Sequence, residues 1–210
     1  MKEEKYLFNL IERYPVLSGC RQDILDAFLI LKEAYKSGSK LLTCGNGGSA
    51  ADAEHIVGEL MKEFYIRRPL SEEMRDKLLA LGDDGTLQNQ LQGALPAITL
   101  TGNISLSTAY ANDVKPELVF AQQVIGYGVS GDVLLGISTS GNSRNVIYAI
   151  ITAKAKGMKI IGITGENGGE LKNLCDACIC VPGKVTYEIQ ELHLPVYHCL
   201  CMMIEEVFFG

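Results

Sequence analysis

Two stretches rich in glycine and hydroxyl groups carry the residue types best suited to chemistry. The first, Gly45-Asn46-Gly47-Gly48-Ser49, closes the apolar run 40–45 and opens the helically spaced segment 50–60. Glycines there allow a tight path with positive φ, and the helix that begins near Ser49 points unpaired N–H groups at an anion. The alternative is an ordinary glycine-rich turn with Ser49 as the helix cap. The lysine of a nucleotide P-loop is missing. The second stretch, 137–143, repeats the arrangement after another apolar run, and its Ser138, Thr139, Ser140 and Ser143 offer four hydroxyls around one glycine. A plain serine-rich turn is the alternative there. Neither stretch holds a lysine or arginine before Arg144. Such loops suit a doubly charged phosphomonoester gripped by dipoles and hydroxyls better than a polyanionic chain.

The three histidines supply proton-transfer or metal-ligating groups. His55 and Glu59 stand four apart, on one face of the helix leaving the first loop, where they could divide a proton transfer, share a metal or form a solvated pair. His193 and His198 flank Pro195. Relative to Gln190, His198 lies roughly 80° around a helix and His193 roughly 60° the other way, so at most one enters a given site. Gln190 and His198 are about 12 Å apart along the axis, and sharing an ion would require their side chains to lean together. His193 reads as a structural, hydrogen-bonded residue.

Five short apolar runs, at 40–45, 96–100, 132–138, 159–164 and 177–181, must position these groups, and helical patterns lie between them. Strand and helix in repeated order imply an α/β fold, a doubly wound five-stranded parallel sheet with helices on both faces, which binds ligands where strand ends meet helix starts. Helices are expected at about 1–38. The periodic stretch 71–95 predicts a helical excursion beside the sheet, with a capping-box-like Ser-Glu-Glu-Met start; it could serve as a lid or as part of a subunit interface. The segment 186–209 reads as one helix crossed, and kinked, by Pro195.

At 210 residues the chain fits one domain spanning 1–210. Its 25 acidic and 19 basic residues, a formal charge of -6, disfavour nucleic acid as a partner. No signal peptide or uninterrupted membrane span is apparent, and seven cysteines in mostly apolar surroundings read as buried thiols of a reducing, cytoplasmic protein. The Cys175–Cys178 spacing has no second pair to complete a metal cluster, and an alternating strand accounts for Cys178 and Cys180.

Together GNGGSAADAEH, ANDV, GDVLLGISTSGNS, GITGENGG and IQELH resemble the phosphoheptose isomerase branch of the SIS (sugar isomerase) fold, over nearly the whole chain. The resemblance implies a homotetramer with sites at subunit interfaces and isomerisation of sedoheptulose 7-phosphate to D-glycero-D-manno-heptose 7-phosphate. It implies Glu59 as base and His198 as acid. The implied substrate and phosphate set is Asn46, Gly47, Ser49, Asn103, Ser138, Thr139, Ser140, Ser143 and Gln190. Zinc-binding members imply His55, Glu59, Gln190 and His198 as ligands. Three departures stand out: Asn103 where many members carry aspartate, Glu188 in place of an arginine, and the interruption at 71–95. These favour, as alternatives, an isomerase of another phosphosugar or a noncatalytic sugar-phosphate-binding protein. As base, Glu59 would need its pKa raised toward neutrality.

Overall fold

A computed structural model describes residues 2–210. Five strands, β1 (Leu41–Cys44), β2 (Ala97–Thr99), β3 (Val133–Ser138), β4 (Lys159–Gly165) and β5 (Ala177–Val181), form one parallel sheet in the order β2-β1-β3-β4-β5. Each grows from one of the five apolar runs. β1 and β3 are buried along their whole length, as strands covered on both faces must be.

Helices cover the sheet on its two sides. On one face α1 (Glu4–Arg13), α2 (Arg21–Lys36) and α3 (Gly48–Met61) pack on Leu41, Leu135, Ile137, Ile161 and Ile163. The excursion follows as α4 (Glu72–Ala80) and α5 (Thr86–Gln90), neither of which buries a residue. Its ends are pinned together by an antiparallel bridge between Pro69 and Gln92 and by Gly93 N–H donating to the Arg68 carbonyl at 2.7 Å. Ser71 caps α4 by accepting from Met74 N–H at 3.3 Å, but Met74 stands where a full capping box needs an acid. Next come α6 (Ile104–Asp113), α7 (Val119–Tyr127), α8 (Arg144–Ala155) and α9 (Gly169–Leu174). Of these α7, α8 and Leu171 of α9 close the opposite face over Leu42, Leu134 and Ile160. α10 (Thr186–Phe209) returns to the first face. It is long and apolar enough to cross a membrane by length and composition, yet 56% of that window is buried inside the protein, as in a core helix. It continues through Pro195 as one helix.

The seven cysteines are free thiols. Cys178 and Cys180 alternate along β5 with buried Ala177, Ile179 and Val181, so their side chains lie on the other side of the strand. Burial, with Cys178 adding to it, pushes the Cys180 thiol up to about 11.

His193 is fully buried in α10, and neither ring nitrogen makes a well-formed hydrogen bond, so the bond expected of this histidine is reduced to a weak contact with the Thr164 backbone. Burial lowers its pKa to about 4, against a smaller opposing effect of the Thr164 backbone. Between about pH 6.5 and 4 the unfolded chain therefore binds a proton that the native chain refuses, and stability falls as pH drops through that window, by on the order of 3 kcal/mol in total. His193→Leu should flatten this acid-side decline; urea midpoints measured from pH 7 to pH 4 for both proteins test it.

Candidate active site

The sheet order reverses direction between β1 and β3, and at such a switch point the loops leaving adjacent strands diverge to opposite faces and open a crevice. The loops leaving these two strands are the two glycine- and hydroxyl-rich stretches, and they lead into α3 and α8. Neither helix has a side-chain cap: α3 starts from Gly47, at φ 57° and ψ -123°, and α8 from Ser143. By contrast α4 and α6 are capped by Ser71 and Asn103. Two helix amino ends of 14 and 12 residues thus meet the crevice without a capping side chain at the cap position, and their dipoles attract an anion. Val146 N–H of α8 nevertheless donates to Asn145 Oδ1 at 3.0 Å, and the Ser49 and Ala50 N–H groups of α3 turn back to the Asn46 and Gly47 carbonyls. Ser49 does not cap; it lies buried in the first turn of α3, and Gly47 occupies the cap position because its backbone is one that side chains rarely tolerate.

The two loops are tied to each other. Asn46 and Asn145 exchange amide hydrogen bonds of 2.9 and 2.8 Å. Ser138 Oγ and Ser143 Oγ are 2.9 Å apart, Ser140 Oγ accepts from Asn142 N–H at 3.2 Å, and the Thr139 carbonyl accepts from Gly165 N–H at 3.1 Å. Thr139 and Ser140 line a cleft of about 650 Å³ together with Glu166, Asn167 and Lys184. Besides Arg144, which follows Ser143 directly, Lys184 is a cation near the hydroxyl loop, and its position after β5 gave no sign of that in sequence.

α10 runs beside α3 in the same direction. At the loop end Gln190 rests on Gly48: a Cβ on Gly48 would come within 2.5 Å of the Gln190 amide nitrogen. Further along, Tyr197 Oη donates to Asp52 Oδ1 at 3.2 Å and lies 3.0 Å from His55 Nδ1, while His55 Nε2 lies 3.1 Å from Glu59 Oε1. The His198 ring meets those of His55, Tyr197 and Phe64 with centroids 5.0, 5.0 and 5.2 Å away. It also lines a cleft of about 560 Å³ between α1 and α10, which Arg13, Tyr65 and Pro195 share.

Charges tune these groups. Burial pushes the Glu59 carboxyl up, but Lys62 Nζ on Oε2 at 2.9 Å and His55 on Oε1 together outweigh it and hold the pKa below the usual value. The expected rise toward neutrality is therefore corrected: a lysine one turn away prevents it. His198 is lowered by burial first and by His55 second, with Glu59 opposing, so its imidazole is neutral at pH 7.

His55, Glu59 and His198 are thus gathered in one chain, whereas Gln190 sits two turns away at the loop end. Asn103 stands elsewhere, half-buried at the start of α6, where its Oδ1 accepts from Leu106 N–H at 3.2 Å. For zinc the donor chemistry fits: two imidazoles and a carboxylate lie side by side, and His198 Nε2 is buried without a hydrogen-bond partner. Among the described residues, however, no three His, Cys, Asp or Glu side chains already converge on one point, and Tyr197 and Glu59 lie within hydrogen-bond distance of the two His55 nitrogens.

Asp52, Tyr197, Lys62 and the buried pair Arg68–Glu205 were missed in sequence. Asp52, His55 and Glu59 do fall at i, i+3 and i+7, one stripe of α3, and that stripe was the available signal.

A family described as "SIS domain" matches residues 15–79 and 80–165. The phosphoheptose isomerase of a Nitratiruptor species is 45% identical over 188 residues, covering 90% of this chain and 88% of that one. The phosphoheptose isomerase of Akkermansia muciniphila is 35% identical over 204 residues, covering 97% and 95%. Among solved structures, the phosphoheptose isomerase of Neisseria gonorrhoeae superposes with a TM-score of 0.74 at 31% identity, covering 98% of this chain and 100% of that one. That of Francisella tularensis gives a TM-score of 0.76 at 31% identity, covering 98% and 97%.

Gly48→Ala should fold with stability changed by no more than about 1 kcal/mol, since the added methyl displaces only the mobile end of Gln190. Displacement of that amide should raise KM about fivefold, the worth of one ordinary hydrogen bond of about 1 kcal/mol. Thermal melts and steady-state kinetics on the same preparation check both halves.

Proposed function

The chain belongs to the SIS-domain phosphoheptose isomerases, and from that premise we propose how its residues divide the work. The enzyme isomerises sedoheptulose 7-phosphate to D-glycero-D-manno-heptose 7-phosphate. The observation that carries the reading is the pair of helix amino ends without side-chain caps at the β1/β3 switch point, joined through Asn46 and Asn145. There the phosphate is held by Asn46, Gly47, Ser49, Ser138, Thr139, Ser140 and Ser143, and its binding fixes the distant carbonyl end against the base. Gln190 and Asn103 belong to the sugar-binding set.

Glu59, ionised at neutral pH, takes the proton from C1 and returns it to C2, passing through an enediolate. Because Lys62 and His55 keep Glu59 an ordinary rather than a strong base, more of the barrier must be met by stabilising the enediolate oxygens. His198, as a neutral imidazole, moves the proton between O1 and O2 in the manner of an uncharged hydrogen-bond donor. His55, Glu59 and His198 would hold zinc, which when bound supplies Lewis-acid stabilisation of the oxyanion, whereas Gln190, expected as a further ligand, stays at the loop end against Gly48.

The working unit in this reading is a homotetramer whose sites join two subunits. Roughly 16 Å of helix rise separates Gly48 from Glu59 in one chain. An extended seven-carbon sugar spans only about 10 Å from phosphate to C1, by its bond lengths. One subunit's loops therefore serve another's Glu59 and His198. Exposed Met74, Leu79, Leu81, Leu87 and Leu91 on the excursion support a covering neighbour. A doubly charged substrate that cannot cross a bilayer places the enzyme with it in the cytoplasm.

NMR of the protein with sedoheptulose 7-phosphate in D2O tests the chemistry. Deuterium at C2 of a new aldose, absent with Glu59→Gln, is expected; equal turnover by Glu59→Gln would remove Glu59 from the role of base. Co-expressed Glu59→Gln and Ser140→Asp chains should together recover activity that each lacks alone. Mixed oligomers that stay inactive would place the whole site within one subunit.

A further inference from the structure

The two loops of the crevice hold no lysine or arginine before Arg144, so a phosphate seated there meets dipoles and hydroxyls with no cationic side chain of the loops' own. Arg144 is already engaged: Nη2 donates to Tyr148 Oη at 3.0 Å, and Nη1 lies 3.6 Å from Glu170 Oε2. Lys184, by contrast, lines the cleft of Thr139 and Ser140, and among the described residues it forms no ion pair. The backbone fixes its place. Gly165 N–H donates to the Thr139 carbonyl at 3.1 Å and Glu166 N–H to the Gly183 carbonyl at a long 3.5 Å, so the turns after β3, β4 and β5 are tied in one row. Buried Ile189 packs against that row: a Cβ on Gly165 would come within 2.6 Å of its side chain, and one on Gly183 within 2.8 Å. Glu166 lines the same cleft, also without an ion pair among the described residues.

Resting on the phosphate-binding part of the reading above, we propose that Lys184 is a further phosphate-binding residue: from the turn after β5 its ammonium supplies the positive charge that the hydroxyl loop lacks. An ammonium on a flexible stem acts on phosphate as a point charge and, unlike a guanidinium fork, demands no fixed geometry. Glu166, in the same cleft, acts with the opposite sign and repels the dianion. Together the two charges set how tightly a phosphomonoester is held. Side chains that merely propped the turns would weaken binding when either was removed, whereas charges acting on the ligand change it in opposite directions.

The test titrates the full-length chain with inorganic phosphate, read by 31P NMR line broadening, and measures steady-state kinetics with sedoheptulose 7-phosphate on the same preparations. Lys184→Ala should raise both the phosphate Kd and the KM about fivefold, the upper scale of one exposed charge contact, with kcat changed less than about twofold. Lys184→Arg keeps the charge and should stay within about twofold of wild type, while Lys184→Glu, which removes and then reverses it, should weaken binding about 25-fold. Glu166→Gln should tighten phosphate binding about two- to threefold. Added salt should weaken wild type more than Lys184→Ala. Lys184 is exposed, so the variants should melt with wild type. Phosphate affinity unchanged in Lys184→Ala and Lys184→Glu, weaker binding in Glu166→Gln, or no phosphate binding by wild type overturns the proposal. Phosphate binding is read without turnover, so the ordering of the variants stands even if heptose isomerisation fails its deuterium test; normal turnover with Lys184 variants indistinguishable from wild type removes Lys184 alone.

Discussion

A buried ion pair governs the geometry of everything around it. Arg68 and Glu205 both have fully buried side chains, and removing two charges from water costs several kcal/mol each unless their hydrogen-bonding capacity is met. Here it is met. Glu205 accepts from Arg68 Nε at 2.7 Å and from the backbone N–H groups of Phe64, Tyr65 and Ile66 at 2.9, 2.8 and 3.1 Å. Arg68 also donates to the carbonyls of Leu60 and Glu59 at 2.7 and 3.0 Å. Those carbonyls belong to the last turn of α3, where helix ends lack intrahelical partners, and the Leu60 carbonyl also accepts from Leu95 N–H at 3.0 Å. One ion pair therefore ends the helix that carries Glu59, draws α10 alongside it, brings Phe64 against His198 and holds the base of the excursion through the Arg68 carbonyl.

With α3 and α10 running side by side, the two helices sort chemistry along their length. Their amino ends, at Gly48 and Gln190, lie at the anion-attracting crevice. Their later turns carry the titratable groups. A carboxylate in the last turns of a helix faces the negative end of the dipole, and Lys62 and His55 offset that for Glu59. The compensation also explains why Glu59 stays a weakly basic carboxylate despite partial burial. The single chain thus sets its two glycine- and hydroxyl-rich loops and its titratable cluster at opposite ends of the same pair of helices.

All five strands, the principal helices and the two loops were legible because they depend on local pattern: apolar runs bounded by glycine, and helical spacing that resumes after each. The excursion was legible for the same reason, although Met74 breaks the capping box that its first residues suggested. His55 and Glu59 were paired correctly by their spacing of four. What failed was pKa direction and partner identity. Nothing in HIVGELMK announces that Lys62 and His55 together outweigh burial at Glu59. The expected hydrogen bond of His193 survives only as a weak contact with the Thr164 backbone, because the partner depends on how α10 packs onto β4.

The sequence by itself determined the doubly wound sheet, the glycine path of the first loop, the hydroxyl set of the second, and the pairing of His55 with Glu59, since all of these follow from residue type and spacing within a few turns. Only the tertiary structure decided that Tyr197, 142 positions beyond His55, should bond it. It likewise decided that Arg68 and Glu205 should share one buried site and that Gln190 should part from His198. Those contacts depend on how α10 lies along α3, and the register between two packed helices is set by side-chain interlocking and buried polar satisfaction, which no local periodicity encodes.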